Sequence, residues 1–147
     1  MSALPRDSAA DAPLLVVDGL TVEFAGPSGP VRAVDGVSFT IGRGEKFALV
    51  GESGSGKTVS ALSLLRLAGD AKVGGRVTLG GRDLAALSER EMRGVRGREI
   101  AMIFQEPMTA LNPLYPVGDQ IAETLTLHEG VSRPAARARA IELLDLT

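Results

Sequence analysis

The sequence predicts an α/β fold built around a phosphate-binding loop, and three adjoining features predict it. Residues Gly51 to Thr58 read GESGSGKT, a full match to the GxxxxGK[ST] pattern. The apolar run Phe47 to Val50 ahead of it reads as a short buried strand. Val59, Leu62 and Leu65 follow at helical spacing, so the loop stands between a strand and a helix, the context that gives such a match physical meaning. Gly51, Gly54 and Gly56 let the backbone bend and approach a ligand closely, with Glu52, Ser53 and Ser55 filling the positions between them. The amides from Gly54 to Thr58 are then free to point at phosphate oxygens, reinforced by the positive end of the helix. Lys57 would set its ammonium between the β- and γ-phosphates of a nucleoside triphosphate, and the Thr58 hydroxyl would bind Mg²⁺.

The remaining elements follow in chain order. Met1 to Pro13 holds Ala, Ser, Asp and Pro without an apolar core and reads as a disordered tail, not a signal peptide. Leu14 to Phe24 reads as a strand. The Gly26 to Pro30 stretch makes a turn, and Val31 to Ile41 is a second strand rich in Val, Phe and Thr, so the chain opens with a hairpin-like β layer. The helix after the phosphate loop stops near Gly69, and Arg76 to Leu79 forms a glycine-flanked strand. Ser88 and Glu91 have capping-box spacing, which starts a short helix running to about Val95. Ile100 to Phe104 is a continuous apolar run, read as a central strand. Gln105 to Pro116 contains three prolines and an Asn and must be loop. Helices follow from Val117 to about His128 and from near Ser132 and Pro134, with Ile141 and Leu144 on one face of the last. Strands alternating with helices around the loop make an α/β core with an added antiparallel N-terminal layer.

Composition bounds the function. At 147 residues and 44% hydrophobic, the chain has the size of one ordinary domain with a core of its own. A formal net charge of −2 leaves no electrostatic footprint for nucleic acid. Arg90, Arg93, Arg96 and Arg98 are interleaved with acids and read as a solvated face; Arg133, Arg137 and Arg139 form a second basic stretch. The absence of cysteine excludes disulfides and thiolate metal sites. No apolar run approaches the length of a bilayer crossing, so a membrane role would come through partners.

Ala101 to Gln120 reads AMIFQEPMTALNPLYPVGDQ, and with LTVEF at Leu20 to Phe24, VRAVDGVSFTI at Val31 to Ile41 and RGREI at Arg96 to Ile100 it resembles the ATPases of ABC transporters, specifically the oligopeptide, dipeptide, nickel and glutathione import branch. The similarity covers nearly the whole chain, and QEPMTALNP is far more specific than the phosphate loop. The resemblance implies ATP and Mg²⁺ as cofactors. Gln105 would be the Q-loop residue that reaches the metal and the attacking water, a task suited to a neutral side chain that both donates and accepts. Residues from about 105 onward would begin a helical subdomain. Phe24 would stack on adenine, although a Phe ending a strand is more often a core residue, and Val31 and Val34 would line the same pocket. Glu106 to Pro116, with Met108, Leu111, Leu114 and Tyr115, resembles the surface that receives a helix from the membrane subunits, or else packs as an ordinary loop. Implied partners are transmembrane permease subunits, a second ATPase cassette of identical or paralogous sequence, and an upstream solute-binding protein. The implied location is the cytoplasmic face of the plasma (inner) membrane, peripherally bound.

The family's later motifs do not occur before Thr147: no LSGGQ, no apolar run ending in Asp-Glu, no histidine beyond His128, which lies in the helix after the Q-loop. Leu14 to Asp18 reads LLVVD but precedes the phosphate loop and is followed by Gly19, which makes it a first strand and not a catalytic one. The chain therefore reads as the truncated N-terminal portion of a nucleotide-binding domain, residues 14–147, expected to bind ATP without efficient hydrolysis when alone and to leave strand edges uncovered. The alternative is a nucleotide-binding remnant or regulatory module that never turns over. A GTPase fits less well, because no NKxD motif occurs.

Overall fold

The computed structural model describes residues 12–105 and 111–147 and divides into two compact units, Met1–Met92 and Arg93–Thr147. The first unit carries a four-stranded antiparallel sheet in the order β2-β1-β3-β4. Its strands are β1 (Leu15–Phe24), β2 (Val31–Ile41), β3 (Lys72–Leu79) and β4 (Arg82–Asp83). The predicted hairpin is thus present, with Phe24 paired to Val31 and Leu15 to Ile41.

Along β1 the buried residues are Leu15 and Val17, then Leu20 and Val22. The alternation changes phase because a bulge intervenes: both ladders of β1 shift register between Val17 and Thr21. Gly19 supplies the bulge with a φ of 59°, and the amide it turns out of the ladder donates to Ser38 Oγ at 2.8 Å. Facing it, Gly75 has a φ of 87°, and a methyl group there would run into the Gly19 carbonyl. Two glycines back to back let the sheet bend without a clash. Val34, Val77, Leu79 and Leu84 complete the sheet's apolar face.

Helix α1 (Lys57–Leu64) contacts β1 and β2. Its buried residues include Ser60 and Ser63, whose hydroxyls donate to the carbonyls of Gly56 and Val59 at 2.9 and 2.8 Å, so no polar group is stranded. The helix ends five residues before Gly69, the stop that glycine content suggested. Arg66 takes the left-handed conformation, φ 55°, while its amide bonds the Ser63 carbonyl and that of Leu67 bonds the Leu62 carbonyl. This is a Schellman cap with arginine in the seat usually held by glycine. The Arg66 guanidinium donates to the Leu87 carbonyl at 2.7 Å, a tie that offsets the backbone strain.

The capping box at Ser88 opens α2 (Glu89–Val95) as expected. The Glu91 amide donates to Ser88 Oγ at 3.3 Å, and Glu91 Oε2 accepts from the Ser88 amide at 2.8 Å and from its hydroxyl at 2.6 Å. These bonds, the side-chain one first, hold the Glu91 carboxyl below its usual pKa.

In the second unit α3 (Val117–Glu129) and α4 (Arg133–Asp145) form a helical hairpin. Gly130 caps α3 in the left-handed conformation and Pro134 lies in the first turn of α4. Ala136 and Ala140 are sealed, which allows close packing of the two helices, while Ile141 and Leu144 stay exposed. His128 stacks its ring over Gly97, where any side chain would collide with it.

Two expected strands are corrected. Phe47 to Val50 and Ala101 to Phe104 carry no ladder among the described residues, and Val50 and Ile103 are 89% and 98% exposed. The single bridge touching the second run is the parallel pair Arg96 and Ile100. A continuous apolar run suits a strand covered on both faces and paired on both edges, and among the described residues the four strands pair only with one another. The expected tail lies outside the described residues through position 11, as do Glu106 and Met108 of the loop.

Candidate functional site

The phosphate-loop sequence folds as its glycines require. Glu52 to Ser55 forms a turn closed by the Ser55 amide on the Glu52 carbonyl at 3.2 Å. Gly54 sits third in that turn with φ 82°, the sign a type II turn demands and that L side chains resist. Gly56 follows with φ 86° as the residue before α1, and it is packed against β2: a methyl group there would meet the Ala33 carbonyl and the Val34 side chain. The close approach that glycine permits is therefore spent on the protein's own second strand as well as on the loop's open side.

Lys57 Nζ donates to the carbonyls of Gly51 and Glu52 at 2.7 and 2.6 Å and to Ser55 Oγ at 3.2 Å. The ammonium is thus drawn across the mouth of the loop and sets the path of the chain entering it. No side chain caps the first turn of α1, so the helix begins with backbone donors, and the exposed Thr58 occupies its second position. An anion seated before α1 would meet the Lys57 ammonium, the helix end and the loop amides together. These residues fit a triphosphate with its magnesium ion. Among the described residues no group of three or more His, Asp and Glu could hold a metal ion.

Phe24, half-buried, closes β1 opposite Val31, and Val34 lies three residues along β2 against Gly56. Strand β2 therefore links the Phe24 end of the hairpin to the phosphate loop within one unit. Val31 is exposed and Val34 buried, so only the former has surface to offer a ligand.

Beside them lies a group that residue patterns did not single out. Arg32 bridges Glu23 across the strands at 2.9 and 2.7 Å through Nε and Nη2 and reaches Asp35 at 2.8 Å through Nη1. Glu23 first and Asp35 next hold the guanidinium charged still more firmly than usual. Its signal was available, since Glu23 and Arg32, of opposite charge, stand close on either side of the predicted Gly26 to Pro30 turn.

Gln105 belongs to the second unit and is exposed just beyond Phe104, so it is not among the residues that the first unit gathers. In the same unit, Leu111, Leu114 and Tyr115 are exposed on a stretch without helix or strand, as a surface loop requires. Gln120, at the start of α3, bonds back to that stretch through Asn112 and Tyr115. Clefts of about 510 Å³ between α3 and α4 and about 360 Å³ behind the end of α1 are lined by other residues. Among the described residues no helix is long and apolar enough to cross a membrane.

Residues 34–146 match the family model described as ABC transporter. The chain is 52% identical over 136 residues to a Brucella abortus (strain 2308) protein named for peptide import and ATP binding, covering 91% of this chain and 41% of that protein. It is 49% identical over 137 residues to the oligopeptide transport ATP-binding protein OppD of Bacillus subtilis (strain 168), covering 90% of this chain and 38% of OppD. The chain thus spans about two fifths of the length of the curated relatives it matches. Its fold is similar to that of the ATP-binding cassette MJ0796, solved as a dimer in a post-hydrolysis state with ADP and Pi, at a TM-score of 0.76, 24% identity, and coverage of 89% of this chain and 56% of that one.

Proposed function

The chain belongs to the ABC transporter family, and from that premise we propose that it is the phosphate-binding part of an ATPase subunit that powers import of peptides or related small solutes. The observation that carries this reading is the loop Gly51 to Thr58, with Lys57 drawn over its mouth and uncapped backbone donors at the start of α1. Bound ATP with Mg²⁺ would supply a phosphoanhydride whose cleavage releases free energy. In this chain Lys57 would neutralise the outer phosphates, Thr58 would ligate the metal, and the amides from Gly54 to Thr58 would orient the phosphate oxygens. Phe24 would offer a ring face to adenine. Gln105 would touch the metal and the attacking water and transmit their state to the loop beyond it. That loop would receive a helical segment of a permease subunit, so the protein would sit peripherally on the cytoplasmic face of the membrane. A second cassette and a solute-binding protein would complete the assembly.

Turnover needs a carboxylate to polarise water and an opposing signature sequence to close the site, and residues 1–147 contain neither motif. The 147-residue polypeptide is accordingly expected to bind ATP and hydrolyse it little by itself. Nucleotide titration and phosphate release test both halves of the statement. Binding lost in Lys57→Ala, with negligible release from either protein, supports it. Turnover matching a complete relative and abolished by Lys57→Ala would sink it. A second reading is a module that binds nucleotide without turnover. That reading prevails if the polypeptide binds ATP yet no longer frame of the gene carries LSGGQ and an Asp-Glu strand.

A further inference from the structure

Between the pair Val22 with Val34 and the pair Glu23 with Arg32, β1 advances by one residue and β2 by two, so Ala33 is an extra residue in the second strand. This is a β-bulge, a device that bends a strand and re-aims what it carries. The bulged residue is the one whose carbonyl a methyl group on Gly56 would strike, and Gly56 is the residue before α1. Val34, next along β2, is buried against the same glycine, and Val31, two residues ahead of the bulge, pairs with Phe24. Four consecutive residues of β2, a span of about 10 Å, therefore join the Phe24 end of the hairpin to the loop from Gly51 to Thr58.

Arg32 ties the bulge down on both sides. It stands just ahead of Ala33 and donates across the ladder to Glu23 Oε1 through Nε and Nη2, at 2.9 and 2.7 Å. Through Nη1 it donates to Asp35 Oδ1, beyond the bulge, at 2.8 Å. Residues three apart in a regular strand point to opposite faces; the extra residue at Ala33 cancels one step of the alternation and brings Arg32 and Asp35 together. All three guanidinium nitrogens are thus committed to protein carboxylates. Two carboxylates against one guanidinium leave the cluster with a net charge of −1, which does not attract a triphosphate. Its influence on such a ligand must come through geometry.

We infer that Arg32 is a positioning residue for nucleotide selectivity: by tying the bulge at Ala33 to Glu23 and Asp35, it fixes the spacing between the Phe24 ring and the loop from Gly51 to Thr58. A ligand that carries both a base and a polyphosphate is then gripped at both ends at once. This rests on the proposal that the loop holds phosphates and Phe24 meets the base, and adds what sets the distance between them. A planar fork suits the task because its nitrogens hold two directions together, whereas lysine offers one nitrogen on a flexible stem.

Calorimetric titration of the 147-residue chain with ATP and with inorganic tripolyphosphate, each with Mg²⁺, separates the two grips. Arg32→Ala should weaken ATP binding roughly fivefold and tripolyphosphate binding by less than about twofold. The urea midpoint should move little, because exposed ion pairs contribute little to stability. Asp35→Asn, which cuts only the tie beyond the bulge, should reproduce part of the loss, and Arg32→Lys should not abolish it. On a Phe24→Ala background, Arg32→Ala should cost ATP nothing further, since the base end has already been released. Equal weakening of both ligands marks a merely structural role and overturns the inference, as do unaltered ATP binding and a full additional loss on the Phe24→Ala background. A wild-type chain that binds neither ligand, or binds both equally well, overturns instead the reading of the loop and Phe24 on which the inference stands. Should Arg32→Ala fail to fold, Asp35→Asn decides the same outcomes.

Discussion

Strand β1 and the run Phe47 to Val50 draw on the same residue types, yet Val17, Leu20 and Val22 are sealed while Val50 is 89% exposed. The difference lies in what flanks each. β1 is laddered to β2 on one edge and β3 on the other, so every alternate side chain finds a covered face. Phe47 to Val50 has no ladder, and what holds it is local: Phe47 stacks on Phe39 of β2 with ring centroids 4.9 Å apart, and Lys57 grips the carbonyls just beyond it. Apolar content specifies that a segment can be buried, whereas pairing partners decide whether it is.

The largest effect that sharpens this contrast is in the sheet. Leu20→Ala should destabilise the first unit by about 3 kcal/mol, whereas Val50→Ala should cost less than about 0.5 kcal/mol, measured by urea unfolding. Equal costs would break the comparison. Next, Gly75→Ala forces both a strained φ and a collision with the Gly19 carbonyl, and should cost roughly 2 kcal/mol in the same assay. On the weakly held side the readout is nucleotide affinity. Lys57→Ala should lower ATP affinity by about tenfold or more, and Phe47→Ala, by loosening the entry to the loop, by about threefold. If Phe47→Ala leaves affinity untouched, the stack is not what steadies the run.

The smallest effect concerns α2, which needs no ladder at all. Its capping box depends on an ionised Glu91 whose carboxyl the Ser88 bonds hold below the usual 4.5. Because the folded value is depressed, the contribution is complete above 4.5 and is lost as pH falls through the folded value. Amide exchange at Ser88 should therefore quicken only on the acid side of that range, and Ser88→Ala should abolish the change.

The same logic separates what was legible in the sequence from what was not. β1, β2, α3 and the Ser88–Glu91 box carry local alternation or spacing of their own, and all lie where it puts them. The turn before α1 was legible because its glycines answer to local backbone geometry, as Gly54 and Gly56 demonstrate. Phe47 to Val50 and Ile100 to Phe104 were misread because their patterns describe coverage by other strands. The end of α1 was misread because Arg66 occupies a left-handed position through a long-range tie to Leu87. Gln120 escaped notice because an eight-residue reach back to Asn112 follows no helical or strand period.

Gly56 rests against the Ala33 carbonyl, and that contact packs the loop from Gly51 to Thr58 directly onto β2. A slip of β2 by one residue along β1 would shift that carbonyl by about 3.4 Å, more than the loop could absorb without leaving its turn. The register of β2 is set upstream, where Gly26 and Gly29 close the hairpin through reciprocal amide-to-carbonyl bonds at 3.2 Å. An inserted residue in that distant, solvent-facing turn would thus be felt at the loop that precedes α1. Surface position does not make the turn a free site for variation: its length acts as a spacer that sets where β2 meets Gly56.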